Sequence, residues 1–234
     1  CVSGVCRVCA GCVPGVCRVC AGCVPGVRRE CVAQLRRRVP IFNLQFSTFN
    51  FSAVIYPIVI FGSETLRKAS EPLTPEYPEL AKLIDDMFLT LTEAEGVGLA
   101  APQIGKNIRL FIVDCSPWGD EEEVCRDYKR VFINPEIYAV SEETDLFNEG
   151  CLSLPGLHED VRRPVAIRMR YLDEEFREHD EEFDGLRARV IQHEYDHLEG
   201  RVFTDRLSPL RRQLLKSKLL GMAKGKYRCH YKTK

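Results

Sequence analysis

The chain has 234 residues, of which 45% are hydrophobic and 29% charged, and its formal net charge is −1. This composition is typical of a globular protein with one domain and an appendage. A net charge so close to zero argues against nucleic acid or a membrane as the main partner. No apolar run approaches the roughly 20 residues that a membrane-spanning helix needs.

Residues 1–53 form an extension that differs from the rest of the chain. Eight of the 12 cysteines lie in residues 1–31, and residues 4–14, GVCRVCAGCVP, recur letter for letter at 15–25. Three interpretations stay open: a metal-binding module of C-x-x-C pairs, an arginine-rich transit peptide, or non-native sequence from duplicated DNA. The third is favoured because the repeat lacks the periodicity that stacked repeats need. We expect this extension to be disordered or non-native.

The body of the chain, residues 54–234, has only four cysteines. We therefore expect a reduced cytosolic protein and not a disulfide scaffold. The apolar stretch 51–62 predicts a buried strand. Leucines and other apolar residues at helical spacing predict an amphipathic helix over 74–96, and a Gly- and Pro-rich loop follows at 96–105. The later segments are predicted as a strand at 108–114, an exposed acidic excursion at 116–130, strands at 130–140 and 165–173, and a hairpin partner at 177–183.

Two further helices complete the prediction. Asp184 offers an N-cap for a helix that runs to Gly200, and Ser208 with Pro209 starts a last helix over 209–220. Strands in irregular order with segregated helices indicate an α+β fold. We expect antiparallel sheets packed around the helix that ends at Gly200, with a C-terminal helix beside them.

The segment QHEYDHLEG, residues 192–200, carries the strongest chemical pattern. His193 and His197 are four residues apart, so they project from one helix face and continue the apolar stripe of Leu186 and Val190. With Glu194 they form H-E-x-x-H, in which two imidazoles hold a metal and the glutamate acts as base. A catalytic site of this kind needs a third protein ligand and an open position for water.

The third ligand is not determined by composition. The candidates are Glu199, His158, His179, His230, Cys115, Cys125 and Cys151. Glu199 points away from the histidine stripe, and His179 and His230 lie in charged segments where we expect them to be solvated. Cys151, within NEGCLSLPG, can present both a thiolate and free N–H groups, so it is modestly favoured over the others together.

Three segments together resemble the signature segments of peptide deformylases, in the right order: GVGLAAPQIG at 96–105, EGCLSLPG at 149–156 and QHEYDHLEG at 192–200. The resemblance covers residues 55–234 and is closest to bacterial members. It implies that Cys151, His193 and His197 hold the metal and that Glu194 is the catalytic acid and base. It also implies that the Gln103 amide and the Leu152 N–H stabilise the oxyanion.

The same resemblance implies the function and its partners. Such an enzyme removes the formyl group from the formyl-methionine of newly made chains. Ferrous iron is the favoured metal, with zinc, nickel or cobalt as substitutes. The substrate would contact Val97, Gly98, Phe147, Leu186 and Val190. We expect a cytoplasmic monomer, or an organellar one if residues 1–53 are a transit peptide. For the basic tail at 224–234 the alternatives are contact with the ribosome and a solvated basic end, of which the solvated end is favoured.

Two buried polar contacts and two rival functions complete the expectations. Glu149 should be buried near the metal with Arg163 as its partner, and Asp196 should orient a neighbouring group. The first rival is an H-E-x-x-H endopeptidase, although no suitable downstream ligand follows Gly200. The second is a non-catalytic metal-binding protein built on the N-terminal cysteines.

Overall fold

The computed structural model describes residues 53–120 and 122–234, so the predictions for residues 1–52 lie outside it. Its α-helices are α1 (Leu80–Glu93), α2 (Gly185–Leu198) and α3 (Pro209–Ala223). Its strands are β1 (Gly98–Ala100), β2 (Leu110–Asp114), β3 (Lys129–Val140), β4 (Thr144–Glu149), β5 (Glu159–Pro164), β6 (Ala166–Leu172) and β7 (Glu178–Asp184). The predicted α+β class is confirmed.

Both sheets are antiparallel. Five strands pair in the order β1-β2-β3-β6-β7, and β4 pairs with β5 in a separate hairpin. Strand β2 lies between β1 and β3 and is apolar, with Leu110, Phe111, Ile112 and Val113 fully buried. Strand β6 alternates instead, because Ile167 and Met169 face the core while Arg168 lies opposite Glu182 of β7. The sheet therefore has one packed face and one charged face at this edge.

Helix α2 runs through the middle of the fold and is buried on almost every side. Its apolar residues Ala188, Ile191 and Leu198 pack into the core, yet Arg189 and Asp196 are also at most 5% exposed. The Asp184 side chain makes no capping hydrogen bond at its start. Gly200, with φ +67°, ends it, and a Cβ there would lie 2.7 Å from the Arg67 carbonyl oxygen. Only glycine fits this close approach.

Helix α1 begins six residues later than the predicted start at 74. Its buried residues Leu83, Ile84, Met87 and Leu91 confirm the amphipathic pattern. The delay has a local cause, because Pro78 cannot donate a helical hydrogen bond and Glu79 adopts a left-handed φ of +54°. The periodicity located the buried face correctly and misplaced the first turn.

Two local predictions were wrong. Of the expected strand 51–62, the described part 53–62 forms only a single bridge, Ile58 with Thr233, because its N–H groups bond to three different segments. The expected exposed excursion at 116–130 is partly core, since Cys125 and Tyr128 are buried and Trp118 packs against the same cluster. The loop at 96–105 also contains β1 and a short 3-10 turn.

No helix among the described residues is long and apolar enough to cross a bilayer. The core has two clusters of buried side chains. The first joins α1 to the 3-10 turn after β1 and the loop after β4, and the second lies between the five-stranded sheet and α2. Cys151 and Leu152 pack against the first cluster, and Val97 against the second. Cys151 therefore lies against the first cluster, whereas His193 and His197 are on α2, whose apolar residues belong to the second.

Candidate functional site

A thiol and two imidazoles converge where α2 faces the loop that follows β4. The candidate ligand atoms of Cys151, His193 and His197 lie within 4.8 Å of one another, and Cys151 Sγ is 3.3 Å from His197 Nε2. Among the described residues, no other group of three such side chains comes together. One thiol and two imidazoles form a donor set suited to a first-row transition metal. The residues present therefore fit a single divalent ion.

The two histidines are held in different ways. His193 Nδ1 lies 2.8 Å from Glu149 Oε2, an arrangement that directs its Nε2 toward the thiol. Burial by itself would lower the pKa of His193, but Cys151 and Glu149 together raise it well above its usual range. His197 is fully buried, and its Nδ1 has no hydrogen-bond partner among the residues that the structure describes.

Cys151 differs from Cys115, although both are unpaired cysteines. Burial raises the pKa of both thiols, and for Cys115 it reaches about 12. At Cys151 the neighbouring His197 and His193 outweigh burial and lower the pKa to about 5. Cys151 is therefore a thiolate at neutral pH, which is the form that binds metals, whereas Cys115 stays an inert thiol in the core.

Glu194 is a carboxylate enclosed beside the ligand cluster. It is 3% exposed, and its Oε2 has no hydrogen-bond partner among the described residues. Burial raises the pKa of Glu194 to about 7, against the opposing effect of the two histidines. A carboxyl group with such a pKa can accept and return a proton near neutral pH. Gly98 leaves room for it, because a Cβ on Gly98 would lie 2.8 Å from the Glu194 carboxyl carbon.

Gln103 reaches the cluster from the 3-10 turn after β1. It is 1% exposed, and its Oε1 accepts a hydrogen bond from the Ala100 N–H at 2.7 Å. This contact turns its Nε2 toward Cys151 Sγ, at 3.6 Å, and Ser153 Oγ, at 3.4 Å. The side-chain N–H groups of Gln103 therefore face the same space as the candidate metal ligands.

Comparison with known proteins agrees with this geometry. The family model described as polypeptide deformylase matches residues 55–213. A peptide deformylase of Christiangramia forsetii is 46% identical over 188 residues, which cover 77% of this chain and 96% of that protein. One of Salinibacter ruber is also 46% identical, over 76% of this chain and 93% of the relative. The chain belongs to the peptide deformylase family.

Solved structures of the family have the same fold. A peptide deformylase from Legionella pneumophila superposes with a TM-score of 0.63 at 37% identity, covering 73% of this chain and 96% of that one. Peptide deformylase from Thermotoga maritima gives 0.60 at 38% identity, covering 67% and 99%. The family match begins at residue 55, so it does not include the N-terminal extension of residues 1–53.

In this member of the peptide deformylase family a cavity of about 540 Å³ opens onto the ligand cluster. Of the residues predicted to contact substrate, Val97, Gly98, Phe147 and Val190 line it. Leu186 does not, and it lies instead in a neighbouring depression that Phe147 also borders. Trp118, from the segment predicted to be an exposed excursion, is an additional wall that was not predicted.

A buried ionic network lies behind His193. Arg163 is fully buried and donates to both oxygens of Glu149, at 2.6 and 2.9 Å, and to Asp196 at 2.7 Å. Arg206 also pairs with Asp196. Burial alone would raise the pKa of Glu149, but hydrogen bonds from Arg163 and His193 hold it well below its usual range. The predicted pairing of Glu149 with Arg163 is therefore present.

Arg189 also belongs to this network but was not predicted from the sequence. It donates to Glu149 and contacts Asp145. A signal existed, since Arg189 stands four residues before His193 on the same helix stripe. The rejected ligand candidates lie elsewhere: Glu199 pairs with Arg109, and His179 with Asp173. His158 and His230 line the cavity without joining the ligand cluster.

Proposed function

We propose that the chain removes the N-terminal formyl group of newly made polypeptides with Glu194 as the proton carrier and Cys151, His193 and His197 as metal ligands. The activity follows from membership of the family. The residue roles are supported chiefly by one observation: the enclosed Glu194 carboxylate lies beside the only three-ligand cluster of the described residues. A metal held there would supply a Lewis acid.

The residues of the chain suggest the following sequence of events. Glu194 takes a proton from a water molecule, and the water oxygen attacks the formyl carbon. The Gln103 side-chain amide and the Leu152 N–H donate to the oxygen that becomes negatively charged. Glu194 then passes the proton to the leaving nitrogen, and the C–N bond breaks to give formate and a free amine. Each oxyanion donor is expected to contribute about 3 kcal/mol to lowering the barrier.

The substrate main chain has a natural position beside β1, which is an edge strand of the five-stranded sheet. The Val97 carbonyl oxygen already accepts from the Asp114 N–H at 2.9 Å. Backbone groups alternate in direction along a strand, so those of Gly98 are directed away from β2 and toward the cavity. We therefore favour Gly98 over Val97 as the residue that pairs with the peptide, in the manner of an added strand. Val190 and Phe147 would contact the methionine side chain.

Ferrous iron is our proposal for the metal, and its support is the family resemblance. The soft thiolate by itself would favour zinc. Turnover should be highest for protein loaded with iron without oxygen, and it should fall on exposure to air. If zinc-loaded protein is equally active and keeps its activity in air, the iron proposal is contradicted. The proposed deformylation reaction would not be affected by that result.

The setting of the reaction is also a proposal. A catalytic site with a thiolate ligand needs a reducing compartment, which supports the cytoplasm. Contact with the ribosome is supported by the exposed basic residues of α3 and the segment after it, which include Arg212, Lys216, Lys218, Lys224 and Lys226. Co-sedimentation with ribosomes that weakens when these residues are neutralised would support the contact. Sedimentation that is unchanged by neutralisation would argue against it.

The experiment that tests the proposed reaction is a product analysis by mass spectrometry. The full chain, loaded with metal, is incubated with a formyl-methionyl peptide of about ten residues. The proposal expects loss of the formyl group alone, with every internal peptide bond intact. Internal cleavage with the formyl group retained would favour the endopeptidase reading and overturn the deformylase one.

A further inference from the structure

The basic segment after α3 returns to the active site. Residues 226–234, here called the tail segment, follow α3 and place Arg228, Cys229, His230 and Tyr231 along the same cavity as Glu194. The sequence alone predicts only a solvated basic end for this segment. The structure instead makes it one wall of the substrate cleft.

The tail segment is fixed by backbone hydrogen bonds to Ile58. The Ile58 N–H donates to the Lys232 carbonyl at 2.8 Å, and its carbonyl accepts from the Lys234 N–H at 2.9 Å. The residues that follow Ile58 bind the two loops of the active site, which are the 3-10 turn after β1 and the loop after β4. Val59 N–H donates to the Gln103 carbonyl at 2.7 Å, and Phe61 N–H to the Ser153 carbonyl at 2.9 Å.

Two side chains of the tail segment reach the same loops directly. The Tyr231 hydroxyl donates to the Leu152 carbonyl oxygen at 2.7 Å, and the Lys234 ammonium donates to the Ile104 carbonyl at 3.1 Å. Tyr231 is half-buried and packs against the first core cluster. One contact therefore holds Leu152, a proposed oxyanion donor, and the other holds Ile104, which directly follows the second proposed donor, Gln103.

We infer that Tyr231 is a positioning residue for deformylation, holding the Leu152 backbone in place through its carbonyl oxygen, with Lys234 acting in the same way on the Gln103 turn. The inference rests on the proposed function, because Leu152 and Gln103 matter only if an oxyanion forms. A donor displaced by a fraction of an ångström stabilises the transition state less, whereas substrate binding by the rest of the cleft is unchanged.

The test compares Tyr231→Phe with Tyr227→Phe in the full chain. Tyr227 is a matched control, since its hydroxyl donates a hydrogen bond to Thr233 Oγ1 at 3.0 Å, within the tail segment, and none to either loop. We expect Tyr231→Phe to lower kcat about tenfold with KM and metal content within about twofold of wild type. Tyr227→Phe should leave kcat unchanged. Equal values of kcat in the two variants would overturn the inference.

Two further measurements separate positioning from stability. Hydrogen exchange of residues 150–156 in metal-free protein should accelerate in Tyr231→Phe and not in Tyr227→Phe; the same exchange in both variants would count against the inference. Lys234→Met should lower kcat, and Lys234→Arg, which keeps a donor, should restore most of it. If wild type itself releases no formate, the proposed function fails, and the positioning role fails with it.

Discussion

Replacing Arg163 by methionine tests the network behind His193. The change removes the hydrogen bonds to Glu149 and Asp196, together with a 3.3 Å bond to the Gln192 carbonyl. Two carboxylates that are at most 4% exposed then lose a positive partner. Breaking a buried ion pair from one side costs about 3–5 kcal/mol, because the remaining charge stays buried.

The lower end of that range applies here. Glu149 keeps its contacts with Arg189 and His193, and Asp196 keeps two hydrogen bonds from Arg206. We therefore expect a loss of about 3 kcal/mol in the free energy of unfolding, out of a total of roughly 5–15 kcal/mol for a domain. The assay is urea unfolding of metal-free protein, so that metal binding does not contribute to the measured difference.

Arg168→Met is the matched control for this experiment. Arg168 lies on β6 and is 55% exposed, and its partner Asp180 is 37% exposed. Water screens such a pair, so the control should lose less than about 1 kcal/mol. Equal losses in the free energy of unfolding in the two variants would refute the reasoning. They would show that burial of the ion pair does not determine the size of the loss.

Three other substitutions have definite expected outcomes. Gly98→Ala should lower kcat/KM at least about tenfold, because the added Cβ would lie 2.8 Å from the Glu194 carboxyl carbon. Its control is Gly221→Ala in α3, where the added Cβ has no neighbour nearer than 3.8 Å and formate release should be unchanged. Gln103→Leu should lower kcat about a hundredfold with metal content intact, and a change of under threefold would exclude an oxyanion role. Asp173→Asn should cost about 1–2 kcal/mol at pH 7 in urea unfolding, since Asp173 accepts bonds from Arg177 and His179. Burial raises the pKa of Asp173, but hydrogen bonds from His179 and Arg177 outweigh it and hold that pKa well below its usual range. The stabilisation is therefore complete above about pH 4 and declines gradually as the pH falls from there toward the lowered pKa; a difference between wild type and variant that is as large at pH 2 as at pH 7 would contradict this.

The sequence was most informative where side chains face apolar surroundings in a regular period. The apolar residues of β2 and the alternation of β6 located both strands to within about two residues. The H-E-x-x-H spacing also located the two histidines on α2. Periodicity works there because burial and side-chain direction follow the same repeat.

The hairpin of β4 and β5 was not predicted, and its cause is visible in the structure. Inward positions of these strands hold Glu149, Glu159 and Arg163, which are charged and at most 7% exposed. In the sequence, a charged residue that faces the core cannot be distinguished from one that faces solvent. The alternation of buried and exposed positions is therefore not recognisable. The ion pairs that neutralise these buried charges join the two strands to each other and to α2 and α3, at sequence separations that no local pattern records.

The proposed third metal ligand shows the same limit. Spacing along a helix determines that His193 and His197 share a face, but Cys151 is 42 residues away from His193 in the chain. Composition left it only modestly favoured, and the resemblance of three segments identified it. The tail segment was beyond both approaches, because only the folded chain brings Tyr231 to Leu152.

The most direct test of the account is formate release by the full chain and by its Glu194→Gln variant, each loaded anaerobically to the same metal stoichiometry. The substrate is a formyl-methionyl tripeptide. The account expects turnover in wild type and a loss of at least about a thousandfold in the variant, with one metal ion bound in both. A variant that keeps wild-type turnover with its metal in place would contradict the central claim that Glu194 carries the proton.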